Sequence, residues 1–168
     1  MKELVGQCQS CQTPVYCEDG FFHGSVQDNG EVLCFPCRDR KELHQLLNQL
    51  LEAEKAGVEA LAFIEELAPE QELFKQVKSD ESWSVAGLIA CIRREKGQVS
   101  TNTGDFANKV KALETMPERL TLLNKGQSWV VKRIDQALKF AMEEESREFL
   151  TEMKVRHIEN ISQCEQIV

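Results

Sequence analysis

Two close cysteine pairs near the start, then four long stretches of apolar residues at helical spacing, predict a mainly α chain: a four-helix bundle preceded by a small β domain. The chain's 168 residues suit one small piece and one medium one. Cysteine usage places the boundary. Cys8, Cys11, Cys17, Cys34 and Cys37 crowd the beginning, whereas Cys91 and Cys164 stand alone in helical sequence. Residues 1–38 and 39–168 are therefore the expected domains.

The first piece carries CQSC and CFPC, two C-x2-C pairs with a spacer between them. Two short loops that each present two thiolates make a tetrahedral four-sulfur site suited to zinc. Cys8, Cys11, Cys34 and Cys37 are the expected ligands. Iron bound by four thiolates uses similar spacing. Cys17 and His23 are the alternative donors, but two complete pairs already fill the shell. TPVYC and GFFHGSV read as short strands, and the Asn-Gly in QDNGEVL marks a hairpin turn. So small a piece buries little surface, and zinc would supply the missing folding energy. The expected fold is a zinc ribbon.

From Asp39 the period becomes helical. Asp39 with Glu42 can form a capping box. Leu43, Leu47, Leu50, Gly57, Leu61 and Ile64 make the first stripe. Pro69 is expected to open the second helix, with Phe74, Val77, Val85, Leu88 and Ile92 inward and Gly97 as its stop. GQVSTNTG is a polar loop, and a short helix covers about Phe106 to Leu113. Pro117 opens the third long helix, with Leu120, Leu123, Val130, Val131, Ile134 and Leu138 inward. The fourth runs from about Glu143 to Cys164, with Leu150, Met153, Ile161 and Cys164 inward. A shift of the apolar stripe separates the last two, and Glu143 to Glu145 suit a helix start.

Each long helix also turns one polar residue inward: Glu54, Glu81, Gln127 and His157, with Asn124 and Asn160 beside them. Carboxylate-bridged metal bundles use such positions, one Glu from each of two helices and Glu-x-x-His from each of the others. Here the set is thinner. Ser84 stands where a histidine would follow Glu81, Lys154 where a glutamate would precede His157, and Gln127 where an acid is expected. Glu54, Glu81 and His157 could still hold one iron, manganese or zinc ion. The competing expectation is a buried hydrogen-bond network of Glu54, Glu81, Gln127 and His157.

Composition narrows the function classes. A net charge of -8 argues against general nucleic-acid binding. No apolar run approaches the roughly 18 residues of a membrane span. MKELVGQCQSCQ has no apolar core of a signal peptide, so the cytoplasm is the expected location, where cysteines serve metal or redox chemistry. There is no G-x-x-x-x-G-K-[ST] loop and no G-x-S-x-G elbow. Cys91 and Cys164 face inward, where thiols tend to be inert. Trp83 and Trp129 lie off their stripes. They are expected to pack under the polar loop, the short helix or the ribbon, with a partner surface or homodimer interface as the functional alternative.

LLEAEKAG, DESW, TGDFANKV, ERLTLLNKGQSWVVKRI and RHIENI resemble an uncharacterised bacterial family with a ferritin-like bundle. Some members carry an N-terminal zinc ribbon such as CQSCQTPVYCEDG...LCFPC. The resemblance covers nearly the whole chain, and the Asn-Lys-Gly-Gln core of RLTLLNKGQSWVVKRI is its most specific part. It implies a ferritin-like four-helix bundle preceded by a small β zinc ribbon. The wider ferritin-like class includes rubrerythrins, which pair a di-iron bundle with a four-cysteine iron domain. This chain is similar in layout with the cysteine domain first, but both Glu-x-x-His motifs are absent. Two functions are expected to compete. One is a non-catalytic interaction or regulatory protein. The other is a metal-dependent redox protein or metal sensor of the rubrerythrin-like class. A thiol redox sensor using Cys17, Cys91 or Cys164 ranks behind both.

Overall fold

Five strands come first and five helices follow, and the computed structural model describes residues 1–167. Strand β1 (Lys2–Gln7) pairs antiparallel with β2 (Pro14–Glu18), which pairs with β3 (Phe21–Phe22). A bulge at Val5 separates the Leu4–Tyr16 and Gly6–Val15 pairs. β1 carries no alternating apolar signal because nearly all its side chains are exposed. Strands β4 (Gly24–Val26) and β5 (Val32–Cys34) form the hairpin that Asn29-Gly30 foretells. Gly30 takes φ +83°, a left-handed conformation that costs glycine little. Gln27 closes the loop by donating its N–H to the Glu31 carbonyl at 2.8 Å.

The chain divides into two compact units, the first Met1–Gln45 and the second beginning at Leu46. In the first, Cys8, Val15 and Leu33 form a very small core, flanked by Phe22 and Val32. Helix α1 spans Phe35–Leu67 and so starts ahead of Asp39. Pro36 sits in its first turn, where a missing N–H breaks no hydrogen bond. Asp39 is therefore inside the helix, where it takes the Arg38 guanidinium at 2.7 Å and is no cap.

In the second unit α2 is Glu72–Arg94, α3 Phe106–Lys111, α4 Met116–Ala137 and α5 Glu144–Glu165. Pro69 stays in the turn before α2 and does not open the helix. α2 ends in a Schellman arrangement: Lys96 N–H donates to the Arg93 carbonyl at 3.0 Å and Gly97 N–H to the Ile92 carbonyl at 2.8 Å. Lys96, with φ 60°, takes the left-handed position that glycine usually fills. Thr115 caps α4 in a complete capping box with Glu118. Arg147 closes the end of α4 by donating to the carbonyls of Leu138 at 2.8 Å and Phe140 at 2.9 Å.

One apolar core draws on all five helices. Leu61 and Ile64 meet Phe74, Val77, Val110, Leu120, Leu123 and Cys164 there. The segment after α2 is strapped along α1. Asn48 donates to the Gln98 carbonyl at 2.8 Å and accepts from the Ser100 amide at 2.8 Å. The Ser100 hydroxyl donates to Glu52, and Gly104 N–H donates to the Glu52 carbonyl at 3.1 Å. Among the described residues, no helix is long and apolar enough to cross a membrane.

Candidate functional site

Cys8 and Cys11 lie on the turn that leaves β1. Cys8 N–H donates to the Thr13 carbonyl and Gln12 N–H to the Cys8 carbonyl, both at 2.9 Å. Gln12 takes φ 62° to make the turn. Cys34 ends β5 and Cys37 sits in the first turn of α1. Strand end and helix start thus present the second pair together.

All four sulfurs lie within 4.8 Å of one another, and this group could hold a metal ion. Cys11 Sγ and Cys34 Sγ are 3.7 Å apart. A tetrahedron of sulfurs around zinc has edges of about 3.8 Å, from a zinc–sulfur bond of about 2.3 Å. Burial pushes the Cys8 thiol up, but amides of Cys34, Cys11 and Ser10 donating to its sulfur outweigh that and bring it down to about 6. The Thr13 hydroxyl and amide likewise lower Cys11. Burial raises Cys34, and burial with the neighbouring sulfurs pushes Cys37 up to about 12. Four thiols this close resist carrying four negative charges, which a bound cation would relieve.

Cys17 is half-buried on β2 and His23 is exposed, and neither joins the group. Cys91 and Cys164 are buried, and burial raises both thiols, Cys164 to about 11.

The inward polar residues sit together around a second feature. Glu54, Glu81, Gln127 and His157 are all nearly inaccessible, at 1%, 3%, 3% and 1% exposure, and all four line one cavity of about 410 Å³. His157 Nε2 meets Glu54 Oε1 at 3.0 Å, and His157 Nδ1 lies 2.9 Å from the Met153 carbonyl. Burial opposes the imidazolium, but the Glu54 charge and hydrogen bond prevail and raise His157 above its ordinary value. Burial, reinforced by Glu54 and Asp80, raises Glu81 well above the usual carboxylate range. Asp80 itself is held by Arg156 at 3.0 Å and by Asn160 at 3.2 Å.

Other polar atoms of these four residues have no hydrogen-bond partner among the described residues. They are Glu54 Oε2, Glu81 Oε2, and both Oε1 and Nε2 of Gln127. Gly57 of α1 makes room for Glu81, whose carboxyl would collide with a Cβ there. Among the described residues, Glu54, Glu81 and His157 do not form a second group with ligand atoms as close as those of the four cysteines.

Sequence reasoning missed the walls of this cavity. Phe106 and Trp129 both line it, and Phe106 packs over Gly126, where a Cβ would come within 2.9 Å of its ring. The signal was the glycine inside NKGQSW, which helical periodicity leaves unexplained. Trp83 belongs elsewhere. It packs on Phe149 with ring centroids 5.1 Å apart, and the Arg156 guanidinium lies 3.9 Å over it.

No curated protein and no solved structure matches the chain. The family described as Domain of unknown function (DUF6306) matches residues 41–166, most of the chain and nearly all of its helical part. The chain belongs to this family.

Proposed function

We propose that this chain is a non-catalytic interaction or regulatory protein. In this reading residues 1–38 are a zinc ribbon and residues 39–168 a ferritin-like four-helix scaffold, working in the cytoplasm on a protein partner or a second copy of the chain. The observation that carries the reading is the contrast between the two sites. Four thiols stand within 4.8 Å of one another, whereas the bundle's inward residues make no two-metal ligand set. A two-metal site needs several anionic ligands to offset two cations. Here Gln127 is neutral, Ser84 and Lys154 replace ligands, and Glu54 already has His157 as its partner. These residues do not fit the di-iron centre of the ferritin-like class.

Zinc at Cys8, Cys11, Cys34 and Cys37 would be structural, with a closed shell and no open position for substrate. Cobalt(II) substitution tests this. Apo-protein titrated with cobalt(II) should develop the intense visible bands of a tetrahedral thiolate site, saturating at one equivalent and bleached by zinc. Weak, octahedral-type bands would contradict it.

The second reading is a metal-dependent redox protein or metal sensor of the rubrerythrin-like class. The observation in its favour is that Glu54, Glu81 and His157 share one cavity. It requires iron or manganese in the bundle. A visible absorption band that is bleached by reductant and lost on His157→Ala would favour this reading over the first.

A further inference from the structure

We infer that the bundle cavity is a binding site for a small organic cation, a primary ammonium group on an apolar body. The inference rests on reading the bundle as a scaffold whose polar residues hold no metal. Three features of the cavity carry it.

The first is the set of buried, unpartnered atoms on the residues that line it. Three of them are oxygens: Glu54 Oε2, Glu81 Oε2 and Gln127 Oε1. Buried polar atoms are rarely left without partners, so these call for donors from a ligand. An ammonium group offers three N–H donors and no acceptor. The second feature is charge. Two carboxyl groups share the floor with a single imidazole, and Asp80 nearby is already matched by Arg156. Burial keeps a proton on Glu81; a cationic head beside it favours release of that proton, and head and imidazolium together then match the two carboxylates. An anionic ligand would meet two carboxyl groups and only one imidazole.

The third feature is shape. The cavity's volume of about 410 Å³ falls within the range of about 300–1,000 Å³ typical of small-molecule sites. Above the floor its walls are apolar, with Leu123, Val130 and Phe106. Exposed Lys109, Asp105 and Trp129 belong to the same lining and open it to the surface. Gly126 lets the Phe106 ring approach α4, and Gly57 keeps the Glu81 carboxyl close against α1. The floor is thus polar and enclosed, and the approach to it is apolar and aromatic.

The test is calorimetric titration of the full-length, zinc-loaded protein with 2-phenylethylamine and n-hexylamine. 2-Phenylethanol and phenylacetate serve as neutral and anionic counterparts. The amines should bind about tenfold or more tightly than the alcohol, the margin expected for charge-assisted hydrogen bonds at a buried site. Phenylacetate should not compete. Glu81→Gln should erase most of the amine's advantage over the alcohol. Gln127→Met reads the same floor should Glu81→Gln fold poorly. Ala53→Phe, which fills the apolar space, should abolish binding of amine and alcohol alike.

Equal affinity for amine and alcohol would overturn the inference. So would no detectable amine binding, or amine binding untouched by both floor variants. One zinc per chain without amine binding defeats the cavity assignment and leaves the scaffold reading standing. A bundle metal lost on Glu54→Gln defeats the scaffold reading itself.

Discussion

Glu54 lies between leucines because His157 reaches it from α5 and holds one of its oxygens at 3.0 Å. Removing one partner leaves the other buried without its hydrogen bond. His157→Leu should therefore destabilise the protein by roughly 3–5 kcal/mol in denaturant unfolding, and Glu54→Leu combined with it should recover much of the loss. Glu81 gives a pH signature. Its carboxyl is raised well above the ordinary 4.5 by burial, so the folded state holds a proton that the unfolded chain releases. That contribution is fully present below 4.5 and is lost as pH rises toward the folded value. The raised His157 acts in the same direction at higher pH, from its ordinary 6.5 upward. Wild-type stability should thus fall between mildly acid and mildly alkaline pH, and Glu81→Gln should flatten the fall. A Glu81→Gln slope equal to wild type would contradict this account of the carboxyl. Helical phase made the inward position of Glu54, Glu81, Gln127 and His157 legible in the sequence. It could not show that Glu54 pairs with His157 while Glu81 and Gln127 keep unpartnered atoms, because phase assigns a face and not a partner across helices.

At the scale of elements, local chemistry sets the boundaries. Thr115 and Glu118 cap α4 through reciprocal hydrogen bonds, with Thr115 N–H donating to Glu118 at 3.0 Å. Thr115→Ala should cost about 1 kcal/mol, read from thermal unfolding. Gly87 on α2 faces the Phe149 ring of α5, and a Cβ there would overlap the ring. Alanine gains about 1 kcal/mol of helix propensity, yet Phe149 is held by Trp83 and cannot easily move aside. Gly87→Ala should be net destabilising by about 1–2 kcal/mol, since overpacking costs more than propensity returns. The long helices were legible from their stripes, and so was the break between α4 and α5. The starts of α1 and α2 were not. A cysteine pair read as a loop hides the first turn of α1, and Pro69 marks a turn as readily as a helix start. β1 was invisible because its outward side chains leave no alternation.

Across the whole molecule, the two units differ in what stabilises them. The first has three buried apolar residues in its cluster, one of them Cys8 itself. Such a core is too small to fold alone, and metal-binding energy is then folding energy. The second has a core fed by every helix. Chelation at neutral pH should unfold the first unit, freeing the four ligand thiols to react with thiol reagents, while far-ultraviolet circular dichroism keeps most of its helical signal. Loss of both together would contradict this division.

One closed thiolate site for zinc, with a bundle that holds no metal, fixes the metal content the proposed function requires. Elemental analysis of protein purified without a histidine tag, from cells given both iron and zinc, tests it most directly. One zinc per chain, abolished by Cys8→Ser with Cys11→Ser and unaffected by Glu54→Gln, is the predicted result. A second metal that survives the cysteine changes and disappears with Glu54→Gln or His157→Ala would contradict it.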